Sequence, residues 1–219
     1  MTRVFVASGR LVKPVALVLT VVAVGSVLVG VSLAAQGSSK SAAMSGVPSP
    51  PAMVSATRII GRRGALRPGT VVRSADLGVR VFPNAGHGFA LASVGEGQYP
   101  AASVDGGRTW RVDGPVLHVN AAQAPLVVLQ VGAASQRTYF AWGGPGGGQV
   151  VDVTSDGGKH WWQAILGDVV MAVVASGDGR LIAFSQSTAN SSPTSAVTWV
   201  YVSTDGGRHW RYNNRLGGL

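Results

Sequence analysis

The sequence predicts an all-β domain of about three repeated four-stranded units, preceded by an N-terminal transmembrane helix. Three observations predict this: a motif recurs at intervals near 50 residues, strand-like runs flank each copy, and an uncharged apolar run lies near the N-terminus. The 219 residues include 31 glycines and are 46% hydrophobic, which is too apolar for a disordered chain and typical of many tight turns. Because the chain has no cysteine, it holds no disulfides and no thiolate chemistry.

The apolar run extends from Pro14 to Ala34 without a charged residue. At about 1.5 Å per residue it can cross a hydrocarbon core about 30 Å thick, so we predict a single membrane anchor over residues 14–35. The preceding segment, residues 1–13, contains three basic residues and no acidic residue. The positive-inside rule therefore places this basic segment in the cytoplasm and the rest of the chain on the extracytoplasmic side of the cell membrane.

Cleavage of this segment as a signal peptide is the alternative. Ser32 and Ala34 have the small-residue spacing of a cleavage site, in which case the domain would be secreted. The run is longer than the apolar region of about 7–15 residues in a signal peptide, which favours a retained anchor.

Two segments separate the anchor from the repeats. Residues 36–57 are rich in Ser, Ala, Gly and Pro, which predicts a flexible linker. Residues 58–77 form a basic connector, in which only Asp76 is acidic. Six arginines lie close together, five in the connector (Arg58, Arg62, Arg63, Arg67 and Arg73) and Arg80 just beyond it. They have two interpretations: attraction to anionic lipid headgroups or wall polymers, or a solvated segment without a partner.

The repeated motif is [ST]-x-D-G-G-[RK]-[TH]-W, at Ser103–Trp110, Thr154–Trp161 and Ser203–Trp210. Its aspartates follow one another at 51 and 49 residues, which indicates a repeated supersecondary unit. An aspartate can accept backbone N–H bonds within a turn, paired glycines permit positive φ, and a tryptophan ring can cover the turn. We therefore predict a structural role in hairpin turns for Ser103, Asp105, Gly107, Trp110, Thr154, Asp156, Gly158, Trp161, Ser203, Asp205, Gly207 and Trp210.

Each repeat contains four strand-like runs, which is the pattern of a propeller blade. Such blades bury their faces only by stacking on one another, so residues 78–219 are predicted to form one domain. Closed propellers need at least four blades, whereas this region holds three. A shortened copy, an open array and an oligomer that completes the propeller are all compatible with the sequence.

The SVDGGRTW motif resembles the Asp-box, or bacterial neuraminidase repeat, of sialidases, sortilin-type receptors and propellers of the photosystem II assembly-factor type. The segment Gly86–Val94 is similar to the strand before an Asp-box in the assembly-factor-like proteins. His160 and His209 depart from the pattern, which usually has threonine there. The resemblance implies a β-propeller in which the box lies on a turn between outer strands, remote from any catalytic centre.

By the same resemblance, a sialidase would need an arginine cluster, a tyrosine activated by a glutamate and an acidic proton donor. The chain has one glutamate, Glu96, three residues before Tyr99 at a predicted hairpin tip. Because a catalytic base must be oriented in a concave site, a turn role is the favoured interpretation of this pair. We assign no catalytic residue.

The other candidate sites have structural interpretations. The four histidines lack the spacing of metal ligands, and each box offers a lone carboxylate where a calcium loop needs several oxygens. The glycine-rich run 143–148 lacks the Lys-Ser/Thr of a phosphate loop. Core packing is the favoured role of the six tryptophans over stacking on sugars. We expect no metal site, no cofactor and no bound nucleic acid.

These features favour a membrane-anchored, non-catalytic binding or scaffold module on the extracytoplasmic side. Its expected partners are the membrane, through the N-terminal helix, and an envelope protein or glycan, with a homo-oligomer as a further possibility. The alternatives are a sialidase-like glycoside hydrolase and a shortened, inactive propeller.

Overall fold

The structure is a computed structural model that describes residues 51–119, 130–143, 149–167, 169–186 and 198–213. The predicted cytoplasmic segment, the predicted anchor (14–35) and residues 36–50 of the predicted linker lie outside these ranges. Within the described ranges, no helix has the length and apolar character needed to cross a membrane.

The described chain is all-β, as the sequence predicts, and its strands form three antiparallel sheets. Sheet I contains the first repeat, with β3 (Val71–Val72), β4 (Leu77–Val81), β5 (Gly88–Val94), β6 (Gly97–Ser103), β7 (Trp110–Val112) and β8 (His118–Val119). Sheet II contains the second, with β2 (Thr57–Ile59), β9 (Gln130–Ala133), β10 (Tyr139–Gly143), β11 (Val150–Thr154) and β12 (Trp161–Ile165). Sheet III contains the third, with β1 (Met53–Ser55), β13 (Val169–Ala175), β14 (Leu181–Gln186), β15 (Thr198–Ser203) and β16 (His209–Tyr212).

Each sheet has the same strand order. Four strands of one repeat pair in sequence, and a fifth strand from the N-terminal segment pairs with the last of them: β3 with β7, β2 with β12 and β1 with β16. In sheet I, β8 also pairs with β6. The fifth strands cover sheet edges whose backbone groups would otherwise be unpaired.

The N-terminal segment supplies these fifth strands. The end of the predicted flexible linker, Met53–Ser55, forms β1 instead of a flexible tether. The strand-like runs of the connector form β2, which begins at Thr57, and β3. A 3-10 turn, Ser74–Asp76, follows β3. Along the chain, β1 joins sheet III, β2 joins sheet II and β3 joins sheet I. The three repeats follow in the opposite order, from sheet I to sheet III.

Sheet II lies between the other two sheets, in contact with both. Its strand β9 contacts β4 and β5 of sheet I, while β9 and β10 contact β13 of sheet III. One core cluster joins Phe89 and Leu91 of sheet I to Tyr139 and Trp161 of sheet II. A second joins sheets II and III, and its largest side chains are Phe140, Leu166, Leu181, Trp199, Tyr201 and Trp210. The sheets thus stack face to face, as the repeat pattern predicts.

The connector packs on the outer face of sheet I. Ala90, Tyr99 and Trp110 are buried in a third cluster, against which Ala65 and Leu66 of the connector pack. The Leu66 N–H donates to the Tyr99 hydroxyl at 3.3 Å. The connector is therefore part of the folded domain and holds a defined path across sheet I.

Candidate functional site

We call the three copies of the motif the first, second and third box, in chain order. The third box, Ser203–Trp210, shows how the motif closes a turn. The Asp205 Oδ1 atom accepts hydrogen bonds from the Ser203 hydroxyl (2.9 Å), the Arg208 N–H (3.1 Å) and the His209 N–H (3.0 Å). The Ser203 hydroxyl also accepts from the Gly207 N–H at 2.9 Å. Gly206 and Gly207 have φ of 72° and 88°, a conformation that favours glycine. The Trp210 Nε1–H donates to the Gly207 carbonyl at 3.0 Å, so one motif satisfies most polar groups of its own turn.

The other two boxes repeat the hydrogen bonds that the box aspartate accepts on Oδ1 from the first residue of the motif and from the backbone N–H four residues later. The Oδ1 atoms of Asp105 and Asp156 accept from the hydroxyls of Ser103 and Thr154 and from the backbone N–H four residues later. His160 and His209 add a contact of 2.6 Å from Nδ1 to the box carboxylate. A histidine at this position therefore makes the same backbone hydrogen bond as the threonine of the first box and adds a ring contact.

Hydrogen bonding lowers the pKa of each box carboxyl. The Thr109 N–H and then the Ser103 hydroxyl lower the pKa of Asp105 to about 2. Burial alone would raise the pKa of Asp156 and Asp205, but the hydrogen bonds from His160 and His209 outweigh it and lower both. All three carboxyls are ionised near neutral pH, and the Oδ1 atom of each accepts hydrogen bonds from its own turn.

The boxes also connect neighbouring repeats. A Cβ added at Gly158 would lie 2.2 Å from the carbonyl oxygen of Asp113 in the first repeat, and one at Gly207 would lie 2.6 Å from Val153 in the second. The Trp161 Nε1–H donates across repeats to that same Asp113 carbonyl at 3.2 Å. Each later box therefore packs closely on the preceding repeat. In the first box, Phe82 packs edge-on against Trp110 instead.

A buried polar cluster joins sheets I and II. The Asp152 side chain is 1% exposed, and it receives hydrogen bonds from His118 Nε2 at 2.7 Å and from Gln163 Nε2 at 2.9 Å. His118 lies on β8, whereas Asp152 and Gln163 lie on β11 and β12. Both carboxylate oxygens thus have partners, which makes the cluster a polar link between two sheets.

An open, positively charged cleft lies where the connector passes from sheet II to sheet I. We call this the basic cleft: an open cavity of about 700 Å³ lined by the connector and by the segments Asp113–Pro115 and Gly157–Lys159. Its cationic side chains are Arg58, Arg62, Arg63, Arg67 and Lys159. The cleft lies beside the second box turn, but none of its cations belongs to a box hydrogen-bond network.

Asp113 is the one carboxyl among the described residues that line the basic cleft. Burial, and secondarily the charge of Asp156, raise its pKa to about 7. Asp113 is therefore partly protonated near neutral pH, unlike the box aspartates. No sequence pattern marked it, because its neighbours in the cleft come from another repeat.

Glu96 and Tyr99 differ in exposure and in secondary structure. Glu96 is exposed in the turn between β5 and β6, as expected, but Tyr99 lies within β6 and is 7% exposed. The turn interpretation was therefore wrong for Tyr99, because strand pairing turns its ring towards the outer core of sheet I. Both residues line a cavity with Arg62 and Arg63. The hydroxyl of Tyr99 accepts from Leu66, and among described residues no hydrogen bond joins it to Glu96.

Four of the six tryptophans are buried: Trp110, Trp161, Trp199 and Trp210. Trp142 packs against the core of sheets II and III, and Arg208 lies 5.3 Å from the ring centre of Trp162. The described ranges bring together no group of three or more side chains suited to a metal ion.

A comparison with protein-family models, curated proteins and solved structures found no match to this chain. The functional interpretation therefore depends on the geometry of its own residues.

Proposed function

We propose that the chain is an Asp-box repeat protein whose three sheets are propeller-like blades, and that it acts as a non-catalytic binding or scaffold module. Residues 14–35 would anchor it in the cell membrane with the domain on the extracytoplasmic side. Support for the repeat assignment comes from the three boxes, which occupy the same turn in each sheet, between the third and fourth strands of the repeat.

The observation that carries the proposal is that the carboxylates of the boxes form hydrogen bonds within their turns, whereas among the described residues the cations of the basic cleft do not. The box carboxylates are occupied by turn hydrogen bonds, so they are structural groups. The cleft has the volume of a small-molecule site, and its cations have no role in the turns. This arrangement favours recognition of a ligand over bond cleavage.

The test uses the full-length protein, purified in neutral detergent. Pull-down from envelope extract should recover one protein or glycan, and the same partner in purified form should bind the protein directly. A fluorogenic sialoside and a panel of aryl glycosides should show no turnover. Turnover that one acid-to-amide substitution abolishes would overturn the proposal.

One observation favours the glycoside hydrolase as a second candidate. Asp113 combines a cleft position with a pKa raised to about 7, which are properties of a general acid. Its nearest charged carboxylate, Asp156, already accepts hydrogen bonds on both oxygens, which opposes a nucleophilic or basic role. If the hydrolase hypothesis holds, Asp113→Asn will abolish turnover and leave the fold unchanged.

The membrane topology has its own test. Protease added to intact spheroplasts should digest the domain if residues 14–35 anchor it with the domain outside. Protection until lysis would contradict this orientation.

The mass in solution tests whether copies combine. A dimer would support the completion of a six-bladed propeller by two chains, whereas a monomer would support an open array of three blades. Failure of the purified chain to fold or to bind a partner would instead favour a shortened, inactive copy.

A further inference from the structure

The connector gathers positive charge at one place. Its ends are fixed by strand pairing, since Arg58 of β2 lies opposite Trp162 and Val72 of β3 lies opposite Trp110. Between them, Leu66 is held against Tyr99. These fixed points therefore hold the arginines between them close together on the surface of the domain.

The charges of the cleft have no ion-pair partner among the described residues. The five cations, Arg58, Arg62, Arg63, Arg67 and Lys159, are all exposed. In other described parts of the chain, Arg73 and Arg180 do pair, with Asp76 and Asp178. The cleft thus concentrates cations that the described part of the fold does not neutralise.

The nearby carboxyls do not balance them. Asp113 is half-buried and partly protonated near neutral pH. Glu96 shares a neighbouring cavity with Arg62 and Arg63 but forms no ion pair among the described residues, so the two carboxyls together offset fewer than two of the five positive charges. A ligand with a single negative charge would leave most of the excess in place. A multiply charged anion is the complementary ligand.

The side-chain types favour phosphate among such anions. Four of the five cations are arginines, whose planar forks donate two parallel hydrogen bonds to phosphate oxygens. A phosphate monoester carries about two negative charges and three acceptor oxygens. The cavity of about 700 Å³ is also within the usual range for sites that hold a small molecule.

We propose that the basic cleft binds a phosphate monoester or diphosphate group, carried either by a free phosphate ester or by a lipid headgroup. This inference deepens the proposed binding function and depends on it, because it assigns the ligand class to one surface of the module. The chemistry is the same for both sources, and only the rest of the ligand differs.

The experiment measures binding by titration calorimetry on the full-length protein in neutral detergent. The soluble probes are pyrophosphate and glycerol phosphate, and the lipid probe is dihexanoyl phosphatidic acid, with dihexanoyl phosphatidylcholine as its reference. Pyrophosphate should bind with a dissociation constant below 1 mM at about 0.15 M salt. A tenfold preference for phosphatidic acid over glycerol phosphate would indicate a lipid headgroup, and equal affinity would indicate a free ester.

A matched pair of variants tests the location of the site. Arg62→Gln/Arg67→Gln should weaken pyrophosphate binding at least tenfold, since it removes two cations from the cleft. Arg180→Gln/Arg211→Gln removes the same net charge from the third repeat, outside the cleft lining, and should change the affinity less than twofold. Equal losses in both pairs, or no binding by the unmodified protein, would overturn the inference.

Lys159→Gln gives an independent check if the double variant fails to fold. This residue reaches the cleft from the second box turn and not from the connector, and its loss should weaken binding at least threefold. Unchanged affinity would argue against the cleft. A partner recovered equally by the unmodified and Arg62→Gln/Arg67→Gln proteins would reject this inference alone, whereas enzymatic turnover would reject the proposed function.

Discussion

Replacement of Asp205 by alanine removes the central acceptor of the third box. Its Oδ1 atom holds three donors, from Ser203, Arg208 and His209, and its Oδ2 atom contacts the His209 ring. After the substitution, two backbone N–H groups of the turn lose their protein partner. The expected result is a folded but less stable domain.

The size of the effect follows from the number and exposure of these bonds. A hydrogen bond contributes about 0.5–1.5 kcal/mol net, and more when an acceptor is charged. The Asp205 side chain is 37% exposed, so water replaces part of what is lost and screens its charge. We expect a loss of about 2 kcal/mol in unfolding free energy. For a domain of this size that corresponds to a drop of about 4–8 °C in Tm.

Thermal unfolding followed by circular dichroism measures this drop, with two comparison variants. Asp205→Asn keeps an oxygen acceptor but loses the charge, so its Tm should fall by less than half as much. Thr204→Ala alters the exposed middle position of the same box and should lie within about 0.5 kcal/mol of the unmodified protein. If Asp205→Ala and Thr204→Ala melt within 1 °C of each other, the structural role of the box carboxylate is wrong.

Three further predictions concern neighbouring groups. Gly158→Ala should lower the unfolding free energy by more than about 3 kcal/mol, because the added Cβ would lie 2.2 Å from the Asp113 carbonyl oxygen. Gly157→Ala has free space around the added Cβ and should cost about 1–2 kcal/mol for its positive φ alone, so equal shifts in Tm for the two variants would contradict the packing of the box on the first repeat. His118→Ala should lower the unfolding free energy measured by chemical denaturation by about 3–5 kcal/mol, since it leaves the buried Asp152 carboxylate with one donor. A loss below about 1 kcal/mol would count against the link between sheets I and II. For Asp113, the pKa raised to about 7 means that the contribution of this one group to stability is fully present below about pH 4 and is lost as pH rises towards 7. Asp113→Asn should therefore stabilise the domain more at pH 8 than at pH 5, by on the order of 2–4 kcal/mol, and a gain in Tm independent of pH would refute the raised pKa.

The sequence predicts those parts of the fold that short-range chemistry determines. The box turns follow from residues within eight positions, and the glycines at 206 and 207 adopt the positive φ expected of them. Alternation in the third repeat likewise places Trp199 and Tyr201 on one face of β15, where both are buried.

The fifth strand of each sheet depends on pairing between distant residues. Met53 lies opposite Arg211, and the composition around Met53 resembles a linker. The short apolar runs near Ile59 and Val72 indicate strands, but they do not indicate which edges they join. Pairing at such separation depends on which sheet edges the folded repeats leave open.

The candidate site was predictable only in part. The arginine cluster of the connector is evident in the sequence, but its geometry depends on where strand pairing fixes it. Asp113 and Lys159 reach the cleft from two different repeats, and His118 meets Asp152 across two sheets. Contacts of this kind follow from stacking of the sheets, which no local pattern records.

The most direct test of the central claim is backbone amide NMR of the protein during titration with pyrophosphate. The claim is that the boxes maintain the fold while the basic cleft binds the ligand. Shifts should be largest in residues 58–67, in Asp113–Gly114 and at Lys159, and they should be absent from the third box, Ser203–Trp210. Shifts centred on the first and third box turns, or spread evenly over the arginines of the domain, would contradict the account.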